Sequence, residues 1–144
     1  MGQPSVQVRI SNNRTHFMPR DVLECEYSLD NVDDDDIQAI ETSVIWMTEG
    51  KGDEDLGVHF FGRRRKNQMR DGDLGALYRF KTVLPLSPGS YDGHLIKIRW
   101  KIRVRVFLSQ GREICDDFGF HLGEAKLLSE SQVDEESRSR RNVS

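Results

Sequence analysis

Leu95–Phe107 reads LIKIRWKIRVRVF, and its alternation decides the class of the protein. Successive side chains of a β-strand point to opposite faces. Ile96, Ile98, Trp100, Ile102, Val104 and Val106 therefore share one face, and Lys97, Arg99, Lys101, Arg103 and Arg105 the other. A helix would scatter both sets around a cylinder, and the β-branched enrichment also favours a strand. One face is expected in the core. The opposite face is a cationic ladder whose members stand about 7 Å apart, within a Debye length of one another at physiological salt. Five like charges at that spacing call for anions, either from acidic neighbours such as Glu24 and Glu26 or from an external acidic or phosphorylated segment. The five ladder residues are accordingly the candidate binding site.

The rest of the chain supplies further strands. Alternation recurs in Val6, Val8, Ile10, then in Leu23, Cys25, Tyr27, Leu29, and again in Ala76, Tyr78, Phe80, Thr82, Leu84. Ile37–Met47, Leu56–Phe61 and Ile114–Leu122 complete about seven strands, separated by polar turns such as SNNRT, DNVDDDD and LSPGSYDG. No segment combines helical period with caps. The expectation is an all-β, antiparallel β-sandwich occupying residues 1–123, followed at 124–144 by a disordered charged tail. Parity also sets a register for the last hairpin. With Ser109 opposite Glu113, Val104 faces Phe118, Ile102 faces Phe120, Trp100 faces Leu122 and Arg105 faces Asp117. Asp116 then turns inward beside Val106, which a bulge would relieve.

With 144 residues the chain reads as one ordinary domain, and its net charge of -3 gives no general argument for nucleic acid or membranes. MGQPSVQVRI is not a signal peptide and no stretch approaches a membrane span, so a cytoplasmic address is expected. Cys25 and Cys115 are too few for a disulfide framework.

No catalytic constellation stands out. His16, His59, His94 and His121 lack metal-ligand spacing, and PGSYDG is a turn rather than a nucleophile elbow. Gly50, Gly52 and Gly57 miss the dinucleotide fingerprint and sit among acidic residues. The run Asp33–Asp36 would need carboxylates from a second loop to hold calcium. Arg63, Arg64, Arg65 and Lys66 read as a strand end and solvated loop. Only Phe107 joins the basic face, a poor stacking platform for nucleic acid. Neither a cofactor nor a metal is expected.

Certain residues also resemble a known family. VQVRI with Phe17, Pro19, Asp21, Val22, Tyr27 and Leu29 resembles the opening strands of the arrestin-like fold. Leu84, Pro85, Pro88, Ser90, Gly93, Ile96, Ile98 and Trp100 are similar to that family's proline-rich turn leading into a long alternating strand. Arg20 and Glu24 stand where the family usually has glycines, and the chain corresponds to one of an arrestin's two sandwiches, so the interdomain clasp is not carried over. The resemblance implies a single sandwich, of a kind seen as stand-alone bacterial members, used as an adaptor. An immunoglobulin-like sandwich is the rival, from Cys25, Trp46 and Cys115, but Glu113 occupies the place of its tyrosine. The functional expectation is a non-catalytic protein-interaction module for an acidic or extended segment, through the basic face or a free sheet edge. The alternatives are a small enzyme with an unrecognised site and, third, a nucleic-acid binder.

Overall fold

The computed structural model describes residues 2–50, 52, 54–66 and 78–123. The proposed tail at 124–144 and Ala76 lie outside the described residues. Among the described residues nine strands run in chain order as β1 (Ser5–Ile10), β2 (His16–Phe17), β3 (Val22–Asp30), β4 (Ile37–Gly50), β5 (Leu56–Arg65), β6 (Tyr78–Val83), β7 (Tyr91–Asp92), β8 (Ile96–Leu108) and β9 (Glu113–Leu122). They form two sheets, one ordered β1-β3-β6 and the other β2-β9-β8-β4-β5, with β7 pairing β8. The expected all-β sandwich is what the chain forms. Every pairing is antiparallel except the two-residue contact of β2 with β9.

β8 is central because its two faces differ so sharply. Trp100, Ile102, Val104, Val106 and Leu108 are all buried, and they meet Val8, Ile10, Leu23 and Cys25 from the smaller sheet. The indole N–H of Trp100 donates to the Pro88 carbonyl at 2.8 Å, which satisfies the one polar atom the ring carries inward. The burial of the even positions stops short of the expected start, however. Ile96 is 42% exposed. The smaller sheet does not extend beneath the first residues of β8, so alternation there marks a strand without marking core.

The hairpin register differs from the parity estimate by two residues. Trp100 pairs Phe120, Ile102 pairs Phe118, Arg103 pairs Asp117 and Arg105 pairs Cys115. Any even slip keeps every apolar side chain on the correct face, so parity alone leaves the turn to choose. The loop is Ser109–Gly111, with Gln110 and Gly111 both left-handed, and the Leu108 amide bonding the Arg112 carbonyl closes it. Asp116 does turn inward, beside Val104 and without a bulge. Its carboxylate accepts the amide of Val8 at 2.8 Å, on the side of β1 that no strand covers among the described residues. A residue that looks misplaced in the sequence thus ties the edge of one sheet to the interior of the other.

The turn Met18–Asp21 has Pro19 first and a left-handed Arg20 (φ 73°) second, closed by the Asp21 amide on the Met18 carbonyl at 3.0 Å. This is type II geometry, whose third residue favours glycine. The family's glycine preference at this position therefore has a physical cause, and Arg20 meets the same backbone demand at a cost. Backbone bonds from Arg20 to Leu84 and from Leu84 to Asp21 fasten this turn to the end of β6.

Two outcomes follow for stability. Asp116→Ala should cost about 1–3 kcal/mol in urea unfolding, because it orphans a part-buried amide, while Asp116→Asn keeps an acceptor and should recover most of that loss. Arg20→Gly should raise stability by roughly 0.5–1 kcal/mol in the same assay, since a left-handed backbone strains every residue with a Cβ.

Candidate functional site

The outer face of β8 carries the ladder, and each rung has a carboxylate. Lys97 lies 3.6 Å from Asp92, Arg99 3.1 Å from Glu49, and Lys101 and Arg103 share Asp117 at 3.1 and 2.9 Å. Arg105 makes a two-pronged contact with Glu113, both bonds 3.0 Å, and approaches Glu41 at 3.9 Å. The five cations are matched by five carboxylates drawn from β4, β7 and β9. Glu24 and Glu26, the acidic neighbours anticipated from sequence, belong to the other sheet. Glu24 is opposite Lys81, and Glu26 pairs Arg9 and Arg79.

These contacts set the local protonation. Hydrogen bonds from Arg105 hold Glu113 below its ordinary value, outweighing a smaller rise from desolvation. For Asp117 desolvation is the largest single influence and raises the value, but hydrogen bonds and charges from Arg103 and Lys101 together bring it lower than usual. Cys115 lies exposed on this face, its thiol raised by desolvation, then by Asp117. Cys25 lies in the core, where burial pushes its thiol up to about 12. Both are free thiols, and the inter-sheet clip of the immunoglobulin reading does not form.

Beside the ladder the same outer face turns apolar toward the sheet edge. Register sets Arg99, Met47 and Leu56 in one row, Lys101, Ile45 and Val58 in the next, and Arg103, Ser43 and Phe61 in a third. Ile45 is buried in the middle of its row, while Leu56, Val58 and Phe61 on β5 are 59%, 58% and 56% exposed. Among the described residues no strand pairs the outer edge of β5. Arg63–Arg65 form the strand end expected from sequence, carrying β5 further than the expected Phe61, and Arg63 bonds Glu41 across to β4.

Opposite β5 lies β6, the edge of the smaller sheet. The register shift between Val44 and Ile45 leaves His59 as an extra residue on β5. Its Nε2 reaches the Val83 carbonyl at 2.8 Å and lies 3.1 Å from Thr82 Oγ1, bridging the two sheets. Gly57 lies against the Trp46 indole, where any Cβ would come within 2.1 Å of the ring. His16 and His121, far apart in sequence, become partners across β2 and β9 with ring centroids 5.2 Å apart. Only a long-range parallel contact unites them, so spacing gave no sign of it. Among the described residues no three potential metal ligands converge, and no helix is long and apolar enough to cross a membrane.

Three residues behind the family resemblance, Pro88, Ser90 and Trp100, meet at one corner of the sandwich. Pro88 receives the Trp100 indole, the Ser90 hydroxyl accepts the Leu122 amide at 2.8 Å, and the Ser90 amide donates to the Leu122 carbonyl at 2.7 Å. The fold is similar to that in the crystal structure of Spo0M, a sporulation control protein from Bacillus subtilis. The TM-score is 0.58 at 11% identity, over 87% of this chain and 51% of that one. This chain thus spans about half the length of Spo0M, and at such identity the likeness is one of fold. A beta-glucosidase from Listeria innocua, solved with gluconolactone, aligns with a TM-score of 0.40 at 17% identity, over 84% of this chain and 16% of that one, too loosely to carry weight. No protein-family model and no curated protein matches the sequence.

The ladder pairs predict the acid limb of stability. A carboxylate held low in the folded state protonates first in the unfolded chain, so its contribution is present above the unfolded value and is lost as pH falls. The ordinary values here are 4.5 for Glu113 and 3.8 for Asp117. The melting temperature should therefore fall as pH is lowered through that range and below it, and the double variant Arg103→Gln/Arg105→Gln should show a smaller fall over the same interval.

Proposed function

We propose that this sandwich is a non-catalytic protein-interaction module of arrestin-like kind, working in the cytoplasm, and that it takes an extended segment along the β5 edge. The observation that carries this reading is the trio Leu56, Val58 and Phe61, each more than half exposed on an edge strand. Natural sheets guard their edges with charges, bulges or cover. β5 has charges only in its second half, at Arg63–Arg65, and its first half presents large apolar side chains on an edge that no strand pairs among the described residues. An extended peptide gains main-chain hydrogen bonds at such an edge and sets alternate side chains against the apolar row. In antiparallel pairing its N-terminal half lies opposite Arg63–Arg65 and favours acidic residues, and its C-terminal half favours apolar ones. The likeness to Spo0M, described as a sporulation control protein, supports a regulatory rather than a catalytic role.

Lys97, Arg99, Lys101, Arg103 and Arg105 are the second candidate surface. Their matched carboxylates favour the edge over the ladder, because an incoming anion must displace an ion pair already made.

Affinity capture with three forms of the protein separates these surfaces. Phe61→Lys changes an exposed residue, so stability should move by no more than about 0.5 kcal/mol while capture of the partner is lost. The triple change Arg99→Gln, Arg103→Gln and Arg105→Gln should lower the melting temperature modestly and leave capture intact. The reverse pattern transfers binding to the ladder. Failure of the unaltered protein to retain any partner defeats the module reading.

A further inference from the structure

Val58 and Phe61 both turn their side chains to the outer face although they stand three positions apart, an odd step that a regular strand does not allow. The extra residue His59 makes it possible. Its Nε2 is drawn to the Val83 carbonyl at 2.8 Å, so the bulge is anchored from the inner side and keeps its own side chain off the outer face.

Hydrogen-bond direction alternates along a strand in step with side-chain direction. The Asp55 carbonyl accepts the Thr48 amide at 2.9 Å, toward β4. Leu56 and Val58 therefore aim N–H and C=O away from β4, and beyond the shift Phe61 and Arg63 do the same. Among the described residues no strand meets these groups.

The odd step restricts what can pair there. A regular segment that matches the outer face opposite Val58 arrives at Phe61 on the wrong face, because its own side chains alternate without interruption. A strand with the same odd step, running the other way, matches both. With Val58 opposite Phe61 of a second copy, the His59–Phe60 stretch of each strand falls opposite that of the other, and Phe61 comes opposite Val58. The same register sets Leu56 opposite Arg63, Asp55 opposite Arg64 and Glu54 opposite Arg65. Outward-aimed backbone then meets outward-aimed backbone, and the acidic end of each strand meets the basic end of the other. The row Lys101, Ile45, Val58 continues through Phe61 into Ser43 and Arg103 of the second copy. Like charges are kept apart without any cation having to be free, and Arg63 retains Glu41.

Resting on the reading of β5 as a receptive edge, we infer that the segment it takes is β5 of a second copy of this chain, paired antiparallel about a two-fold axis between His59 and Phe60. Each copy offers one such edge, so the pairing closes at a dimer.

Sedimentation equilibrium of the whole chain over a wide range of concentration, with amide hydrogen exchange at both ends of that range, tests the pairing. A monomer–dimer equilibrium and nothing larger is expected, with the amides of Leu56, Val58, Phe61 and Arg63 gaining protection as the dimer fills. Phe61→Lys should leave a monomer. Glu54→Lys and Arg65→Glu should each weaken the dimer about tenfold by setting like charges opposite, and the double variant Glu54→Lys/Arg65→Glu should return to within about threefold of the unaltered protein. A monomer at every concentration, a larger assembly, a dimer that persists in Phe61→Lys, protection gained on another strand, or a double variant no tighter than the single ones overturns the pairing. Affinity capture decides the edge reading separately. A chain that stays monomeric but retains a partner through Phe61 keeps the receptive edge and loses only the second copy. Dimerisation with no other protein retained upholds the second copy while the module reading falls.

Discussion

Both faces of β8 are committed at once, and the remaining strands are arranged to meet them. Its inner face needs a second sheet to cover Trp100, Ile102, Val104 and Val106, and β1, β3 and β6 supply that cover. Its outer face needs negative charge, because five cations on alternate positions of one strand repel one another. Glu41 and Glu49 from β4, Asp92 from β7, and Glu113 and Asp117 from β9 provide it. Exposed pairs of this sort contribute little one by one. Their value lies in the register, since Asp117 meets Arg103 and Lys101 only when β9 is aligned as observed, and a two-residue slip would bring Arg105 opposite Asp117. The apolar face selects which side of β9 turns inward, and the charges discriminate among the alignments that remain.

The division of labour explains what was legible in the sequence. Period-two alternation placed almost every strand and identified both faces of β8, because that signal depends on residues close in the chain. The ladder's partners were less legible. Glu24 and Glu26 are near cations in composition but lie on the other sheet, and strand order is a property of long-range packing that alternation does not encode. The same holds for Arg64. Arg63–Lys66 appeared as a basic run, and only the pairing of β5 with β4 shows that Arg64 shares the inward side with Gly62. Asp116 is instructive in the opposite way. Parity turns it inward, and what relieves it is no bulge but an amide 108 residues away.

The arrestin-like resemblance gains physical content from the same corner of the molecule. Pro88, Ser90 and Trp100 matter together because the segment between β6 and β8 crosses from one sheet to the other without a helix to satisfy its backbone. The Pro88 carbonyl and the Ser90 hydroxyl and amide are each engaged, by the indole and by both backbone groups of Leu122. Arg20 shows that the turn at Met18–Asp21 forms without the glycine that would suit its left-handed position best.

The unequal size of the two sheets has its own consequence. β4 and β8 have 14 and 13 residues, roughly 45 Å of strand each, and the smaller sheet lies under only part of that length. From Trp100 toward Leu95 the sandwich thins to a ribbon held by pairing with β4 and β7, and Leu95 and Ile96 are solvent-exposed there. A strand end whose inward-parity residues are only partly covered opens at smaller free energy than the buried length of β8, which opens only when the whole domain does. One continuous strand therefore spans a wide range of local opening energies, and Trp100 marks the boundary between its short fraying end and its longer cooperative part.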